Sequence, residues 1–195
     1  MKSKQLVCRS SFIVHRSCFL LSSTEALSSM MQKKICMLGT FAVGKTSLVR
    51  RFVESIYSDK YHTTVGVKID KKQVAVEGHD LMLLLWDIEG AESAHELRKS
   101  YLRGASGYLL VADGTRQETL YRALEIQARA QETIGSVPFL LLINKADLIE
   151  QWSIEEREMS ALQEKNWHVI QTSAKTGAGV EEAFLALAQK MRMET

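Results

Sequence analysis

Gly39-Thr40-Phe41-Ala42-Val43-Gly44-Lys45-Thr46 separates the apolar run Ile35-Cys36-Met37-Leu38 from Ser47-Leu48-Val49-Arg50-Arg51-Phe52. The spacing is G-x-x-x-x-G-K-[ST], set between a strand and a helix. Such a loop turns backbone N–H groups into a concavity, and the helix that follows adds the positive end of its dipole. Together they make a cradle for a polyphosphate. Within it Lys45 reaches the β- and γ-phosphates, and the Thr46 hydroxyl is placed to ligate Mg²⁺. Gly39, Phe41, Ala42, Val43, Gly44 and Ser47 complete the candidate phosphate contacts. The strand before the loop and the helix after it argue against a chance match in a glycine- and alanine-rich turn.

Outward from this loop, strand and helix patterns alternate. Val65–Glu77 alternates apolar and polar residues, Gly78-His79 is a turn, and Leu81–Trp86 is continuously apolar. The two runs read as an antiparallel hairpin with one half-exposed strand. Tyr108–Ala112 and Phe139–Ile143 are further buried strands, and Val169–Gln171 is a short last one. Helical stretches are predicted for Thr46–Glu54 and near 117–134, 153–165 and 180–192. The pattern implies an α/β fold of three layers: a mostly parallel six-stranded sheet with one antiparallel edge strand and helices on both faces. Ligands of such sheets bind at the carboxyl ends of the strands.

The composition fits one globular domain. The chain has 195 residues, 46% of them hydrophobic and 25% charged, with a formal net charge of +2. That balance gives no reason to expect a nucleic-acid partner. The three cysteines, Cys8, Cys18 and Cys36, all fall in the first fifth, which suits a reducing compartment better than a disulfide framework. The five histidines are scattered without metal-ligand spacing.

Three polar clusters follow predicted strands. Asp87 closes the run ending at Trp86, a position from which a carboxylate beside a phosphate loop holds Mg²⁺ through water. Gly90, just beyond, lets a backbone N–H approach a terminal phosphate with no side chain in the way. Asn144-Lys145-Ala146-Asp147 follows the strand at 139–143. Guanine presents two donors, N1–H and the 2-amino group, that one carboxylate accepts together; adenine has no such pair. A buried Asp147 would therefore select guanine, with Asn144 holding neighbouring loops and the Lys145 stem covering base and sugar. Thr172-Ser173-Ala174-Lys175 follows the last strand, and a backbone N–H there can donate to guanine O6. The plain reading of that segment is an ordinary strand-to-helix turn.

With these motifs in place the chain resembles a small GTPase of the Ras superfamily over roughly residues 33–193. Tyr61–Gly66 is similar to the first switch of the Rab branch, and Tyr101–Gly107 is similar to another Rab segment. The resemblance implies a G domain that binds GTP or GDP with Mg²⁺. It implies that Thr64 ligates the metal and senses the γ-phosphate, that Tyr57 packs edge-on against the base, and that the Gly90 N–H meets the γ-phosphate. It also implies an exchange factor, an activating protein and effectors that read residues 57–68 and 88–103, with the protein itself a monomer.

Two positions depart from the family pattern. Where the family usually has glutamine to orient the attacking water, this chain has Ala91, which can neither donate nor accept. Phe41 stands where many members have glycine or another small residue, and a phenyl ring there would crowd the space beside the γ-phosphate. The expectation is a switch that hydrolyses GTP slowly. The alternative is a guanine-nucleotide-bound interaction module that does not cycle. An adenine-nucleotide kinase on the same loop fails on Asp147.

Residues 1–31 are Ser-rich and basic, with Glu25 their only acid. Their apolar pieces are split by His15-Arg16, which makes a poor secretory signal. They are expected to be an N-terminal extension, either a targeting leader or a disordered tail before a start at Met30 or Met31, with the G domain over 32–195. Residue 2 is Lys, not the glycine that myristoylation needs, and no cysteine lies near Thr195, so a stable lipid anchor is not expected. A cytoplasmic protein, peripheral to membranes through its partners, is the resulting expectation.

Overall fold

A computed structural model of the chain describes residues 31–57, 64–89 and 99–193. Six strands form one sheet: β1 (Met31–Leu38), β2 (Val67–Val76), β3 (His79–Ile88), β4 (Gly107–Asp113), β5 (Phe139–Asn144) and β6 (Val169–Gln171), in the order β2-β3-β1-β4-β5-β6. All neighbours run parallel except β2 and β3, which pair antiparallel. The helices are α1 (Lys45–Glu54), α2 (Lys99–Leu102), α3 (Gln117–Ile134), α4 (Glu156–Glu164) and α5 (Val180–Met193), with a single 3₁₀ turn at Ile149–Gln151. The expected α/β architecture is therefore present. The order reverses at β1, between β3 and β4, so the loop 39–44 leaves the sheet where ligands of such folds sit.

The sheet separates two apolar clusters. On one side Leu81, Leu83 and Leu85 of β3, Leu109 and Val111 of β4, and Leu140 and Leu142 of β5 meet α1 and α5. Phe52 and Phe184 stack there with centroids 4.0 Å apart, joining the two helices. The stripe Val180, Phe184, Leu187 and Met191 of α5 is buried, as its spacing requires of a core-facing helix. On the other side Tyr108, Leu110 and Ala112 of β4 and Leu141 and Ile143 of β5 meet Leu120, Ala123, Ile126 and Ala130 of α3. Strands covered on both faces explain the unbroken apolar runs in the sequence.

Several boundaries differ from the sequence reading: the hairpin turn is Glu77-Gly78 and not Gly78-His79, since His79 belongs to β3, and two element starts shift by three positions or more. β1 begins at Met31, four positions before the apolar run, because Met31–Lys34 pair with Leu81–Leu84 of β3 through the backbone. Their residue types show no apolar alternation, although the side chains do alternate between faces: Lys33 Nζ donates to the Met191 carbonyl at 3.2 Å and Lys34 Nζ to the Arg103 carbonyl at 2.8 Å. Lys34 Nζ also lies 3.6 Å from the Trp86 ring centroid, a cation–π contact. Helix α4 starts at Glu156 and not at 153. Ser153 N–H is bound to the Gly114 carbonyl at 2.8 Å, and Glu155 and Glu158 form a reciprocal capping box that fixes the start.

The hairpin closes through Glu77 and Gly78, both left-handed at φ 49° and 78°, the geometry of a two-residue type I′ turn. β2 forms one edge of the sheet and carries Lys68, Lys71 and Lys72. Gly179, which leads into α5, is also left-handed at φ +67°, but an added Cβ would lie 2.4 Å from the Gln171 carbonyl oxygen. At Gly78 the same Cβ would meet nothing within 4 Å. Gly78→Ala is therefore expected to cost about 1 kcal/mol from backbone strain alone, and Gly179→Ala about 2–4 kcal/mol from strain plus a backbone clash. Urea unfolding midpoints of the two variants, at an unchanged slope, measure the difference.

Candidate nucleotide-binding site

The carboxyl ends of β1, β3, β4 and β5 carry the buried polar groups. Gly39 follows β1 with φ +145°, and a Cβ there would sit 2.3 Å from the Val111 carbonyl oxygen of β4. The chain can turn off the strand here only without a side chain. Gly44 ends the loop at φ 99°, capping α1 with no side-chain hydrogen bond of its own. A Cβ on Gly44 would lie 2.3 Å from Asn144 Nδ2. The first turn of α1 is thus left with free N–H groups facing the loop, the arrangement that binds anions.

Lys45 is buried at 7% exposure. Its Nζ donates to the Gly39 and Thr40 carbonyls at 3.0 and 2.9 Å, which folds the ammonium back across the loop. Burial lowers its pKa to about 8, against the pull of Asp87 and Glu89. Phosphate oxygens in the cradle would supply the missing counter-charge.

Asp87 ends the outward run of β3 at 1% exposure. Its Oδ2 accepts from the Thr46 hydroxyl at 2.6 Å and from the Thr64 hydroxyl at 3.0 Å, and the two hydroxyls lie 2.7 Å apart. Its Oδ1 is buried with no hydrogen-bond partner among the described residues. Burial raises the pKa of this carboxyl, outweighing both hydroxyl bonds and Lys45. Three oxygens from three chain segments thus converge, and the second oxygen of the same carboxylate is an unfilled acceptor beside them. Oxygen ligands with one carboxylate suit a hard cation such as Mg²⁺, which takes its remaining ligands from water and phosphate. Among the described residues no group of three or more His, Cys, Asp or Glu side chains competes as a metal site.

Asn144 closes β5 at 2% exposure and joins three segments. Nδ2 donates to the Val43 carbonyl at 2.9 Å, while Oδ1 accepts from Ala174 N–H at 3.2 Å and from the Thr172 hydroxyl at 3.4 Å. The expected role of Asn144 in holding loops is what the geometry shows. Asp147 is half-buried, not buried as anticipated, because it lines the open side of the pocket. The Ser173 hydroxyl donates to its Oδ1 at 2.5 Å. Lys145 is left-handed at φ 68°, which swings its side chain back toward β4.

Gly44, Ser47, Tyr57, Asn144, Lys145, Asp147, Ala174 and Lys175 line one cavity of about 140 Å³. Residues from four distant parts of the sequence therefore meet beside the phosphate loop. A larger hollow of about 510 Å³, walled by Pro138, Trp167 and His168, lies at the opposite ends of the strands. Size alone would mislead. Phe41 stands at the loop crest, 45% exposed. Gly90 and Ala91, like Tyr61–Thr63, lie outside the described residues, so the two expected contacts of the second switch have no geometry here.

Sequence reasoning missed Asp113, at the end of β4 and 0% exposed. It forms ion pairs with Lys145 at 2.6 Å and Arg116 at 2.9 Å. Burial would raise its pKa, but Lys145, Thr115 and Arg116 outweigh it and hold the carboxyl below the usual range. Its position at a strand end, level with Asn144, was the available signal.

Asn144→Ala removes three buried hydrogen bonds and strands the Val43 carbonyl and Ala174 N–H. A loss of about 2–4 kcal/mol in unfolding free energy is expected, read from denaturant midpoints.

The assembled features are a glycine-bounded loop at a helix start, a hydroxyl–carboxylate cluster and a pocket rimmed by Asp147 at the switch point of the sheet. A family model described as "Ras family" matches residues 34–193. That match runs from within β1 to the end of α5. The chain belongs to the Ras family of small GTP-binding switch proteins.

Proposed function

We propose that the protein is a guanine-nucleotide switch that binds GTP and GDP with Mg²⁺ and hydrolyses GTP slowly. The observation that carries the base assignment is the seat of Asp147 in the wall of the cavity beside Gly44 and Ser47. From there its carboxylate can accept both edge donors of guanine, while the Ser173 hydroxyl holds its orientation. The Ala174 N–H, in a long bond to Asn144, is available to share with guanine O6. Tyr57, Lys145 and Lys175 enclose the base from the remaining sides.

Gly39, Phe41, Ala42, Val43, Gly44, Lys45, Thr46 and Ser47 hold the phosphates through loop N–H groups and the Lys45 ammonium. Thr46 and Thr64 would hold the metal directly, and Asp87 would hold it through water. The metal, when bound, neutralises the charge between the β- and γ-phosphates. The Thr64 hydroxyl already contacts both Thr46 and Asp87. A γ-phosphate that draws Thr64 inward orders the segment at 57–68, and its loss releases that segment. Gly90 N–H is assigned to the γ-phosphate on the sequence pattern.

Turnover is slow on this reading because Ala91 offers no group to orient water. Phe41 adds bulk at the crest, where an arginine from an activating partner worth about 10³–10⁵ in rate would enter. Exchange factors, activating proteins and effectors read residues 57–68 and 88–103. No helix among the described residues is long and apolar enough to cross a membrane. The second reading, a nucleotide-bound module that does not cycle, draws on the same Phe41 and Ala91. The Thr64–Asp87 contact speaks against it, since it links a loop residue to the metal site.

Nucleotide released on denaturing purified protein is expected to be guanine nucleotide, and Asp147→Asn is expected to lower the preference for guanine over xanthine at least 100-fold on the scale of lost paired contacts. ATP in the purified protein would end this reading. Single-turnover hydrolysis of GTP by Ala91→Gln is expected to run about 10-fold faster than wild type, since one positioned group is typically worth more than that in the barrier. An unchanged rate would show that water is handled by another group.

A further inference from the structure

Asp113 is not used by the nucleotide contacts above, yet it touches both halves of the site. Its Oδ1 accepts from the Thr115 N–H at 3.0 Å and the Thr115 hydroxyl at 2.7 Å. Its Oδ2 accepts from Arg116 Nε at 2.9 Å and from Lys145 Nζ at 2.6 Å. Arg116 does not stop there: its Nη2 donates to the Phe41 carbonyl at 3.2 Å. One buried carboxylate therefore holds the lysine of the base-binding loop directly and the crest of the phosphate loop through one arginine.

We propose that Arg116 is a positioning residue for the phosphate loop, and that Asp113 couples its hold on Phe41 to the Lys145 wall of the base pocket. The proposal rests on the guanine-nucleotide reading of the site. Three features support it. A guanidinium is a planar fork, so Nε and Nη2 can address two acceptors at once, which a lysine ammonium on a flexible stem does not reproduce. The arginine is fixed at its root: it is the N-cap of α3, its N–H is bound to the Asp113 carbonyl at 3.0 Å, and its own carbonyl accepts from the Thr119 hydroxyl at 2.7 Å. The carboxylate is fixed as well, with Asp113 N–H donating to the Thr119 hydroxyl oxygen at 2.8 Å.

The position of the Phe41 carbonyl matters because each loop carbonyl fixes the peptide plane it belongs to. Turning the Phe41–Ala42 plane moves the Ala42 N–H, a candidate phosphate donor. Exposed ion pairs generally contribute little. This pair differs in that its acceptor is fully buried at 0% exposure and is shared with Lys145. Removing Arg116 leaves Asp113 paired with Lys145 and Thr115, so the fold has no reason to fail with the arginine.

The test is the dissociation rate of fluorescently labelled GDP from the full chain, with unfolding midpoints measured alongside, for Arg116→Gln, Arg116→Lys, Asp113→Asn and the double variant. Arg116→Gln is expected to release GDP about 10-fold faster, the scale of one charge-assisted bond, at an unfolding midpoint close to wild type. Arg116→Lys is expected not to rescue it. In the Asp113→Asn background, where the shared carboxylate is gone, the added effect of Arg116→Gln is expected to fall below about 2-fold. Wild-type release rates in Arg116→Gln, full rescue by lysine, or additive effects with Asp113→Asn would each overturn the proposal. If Asp113→Asn does not fold, the two single arginine variants still test it. A wild-type protein that retains no guanine nucleotide defeats the functional reading, whereas a guanine-bound wild type matched by Arg116→Gln defeats this inference alone.

Discussion

The site depends on one amide fitted into the space of one missing side chain. Asn144 Nδ2 lies 2.3 Å from where a Cβ of Gly44 would be. Because Gly44 has none, the amide can reach the Val43 carbonyl while its oxygen takes Ala174 N–H and the Thr172 hydroxyl. The loops at 39–44, 144–147 and 172–175 are thereby all tied to one 2%-exposed side chain. A buried amide so fully paired is costly to disturb in any part, since each lost partner leaves another group unsatisfied in a dry environment.

The same logic governs the other strand ends. Asp87, Asp113 and Asn144 all sit where an apolar strand meets the site, and all are essentially buried. Asn144 is neutral and satisfied within the protein. Asp113 is charged and satisfied by cations of the protein itself. Asp87 is the exception: two hydroxyls share one oxygen and the other has no hydrogen-bond partner among the described residues. The sheet thus offers one carboxylate satisfied by the protein's own cations and one with an acceptor left open among the described residues, a division that separates a structural role from the role proposed for Asp87.

Much of this was legible in the sequence because the informative residues are bound to fixed spacings. The phosphate loop and Asn144-Lys145-Ala146-Asp147 each follow a buried strand, and strands buried on both faces announce themselves as apolar runs. Met31–Lys34 could not be read that way. Their strand character comes from backbone pairing with β3, and two lysine side chains there serve the Met191 and Arg103 carbonyls. Asp113 escaped for a different reason. Its partners lie two, three and 32 positions away, and no spacing rule links them until β4 and β5 are set side by side. The burial of Asp147 was overread, because a motif gives the identity of a group but not how far its pocket opens to solvent.

The edge strand β2 has a consequence of its own. A ten-residue strand with one unpaired side is a template onto which another extended chain could zip. Lys68, Lys71 and Lys72 lie along it, with Lys68 paired to Asp70 at 3.0 Å and Lys72 Nζ turned onto the Phe52 carbonyl, so Lys71 is the lysine of the strand that guards this border. A charge midway along an open border makes uninvited pairing costly without forbidding it.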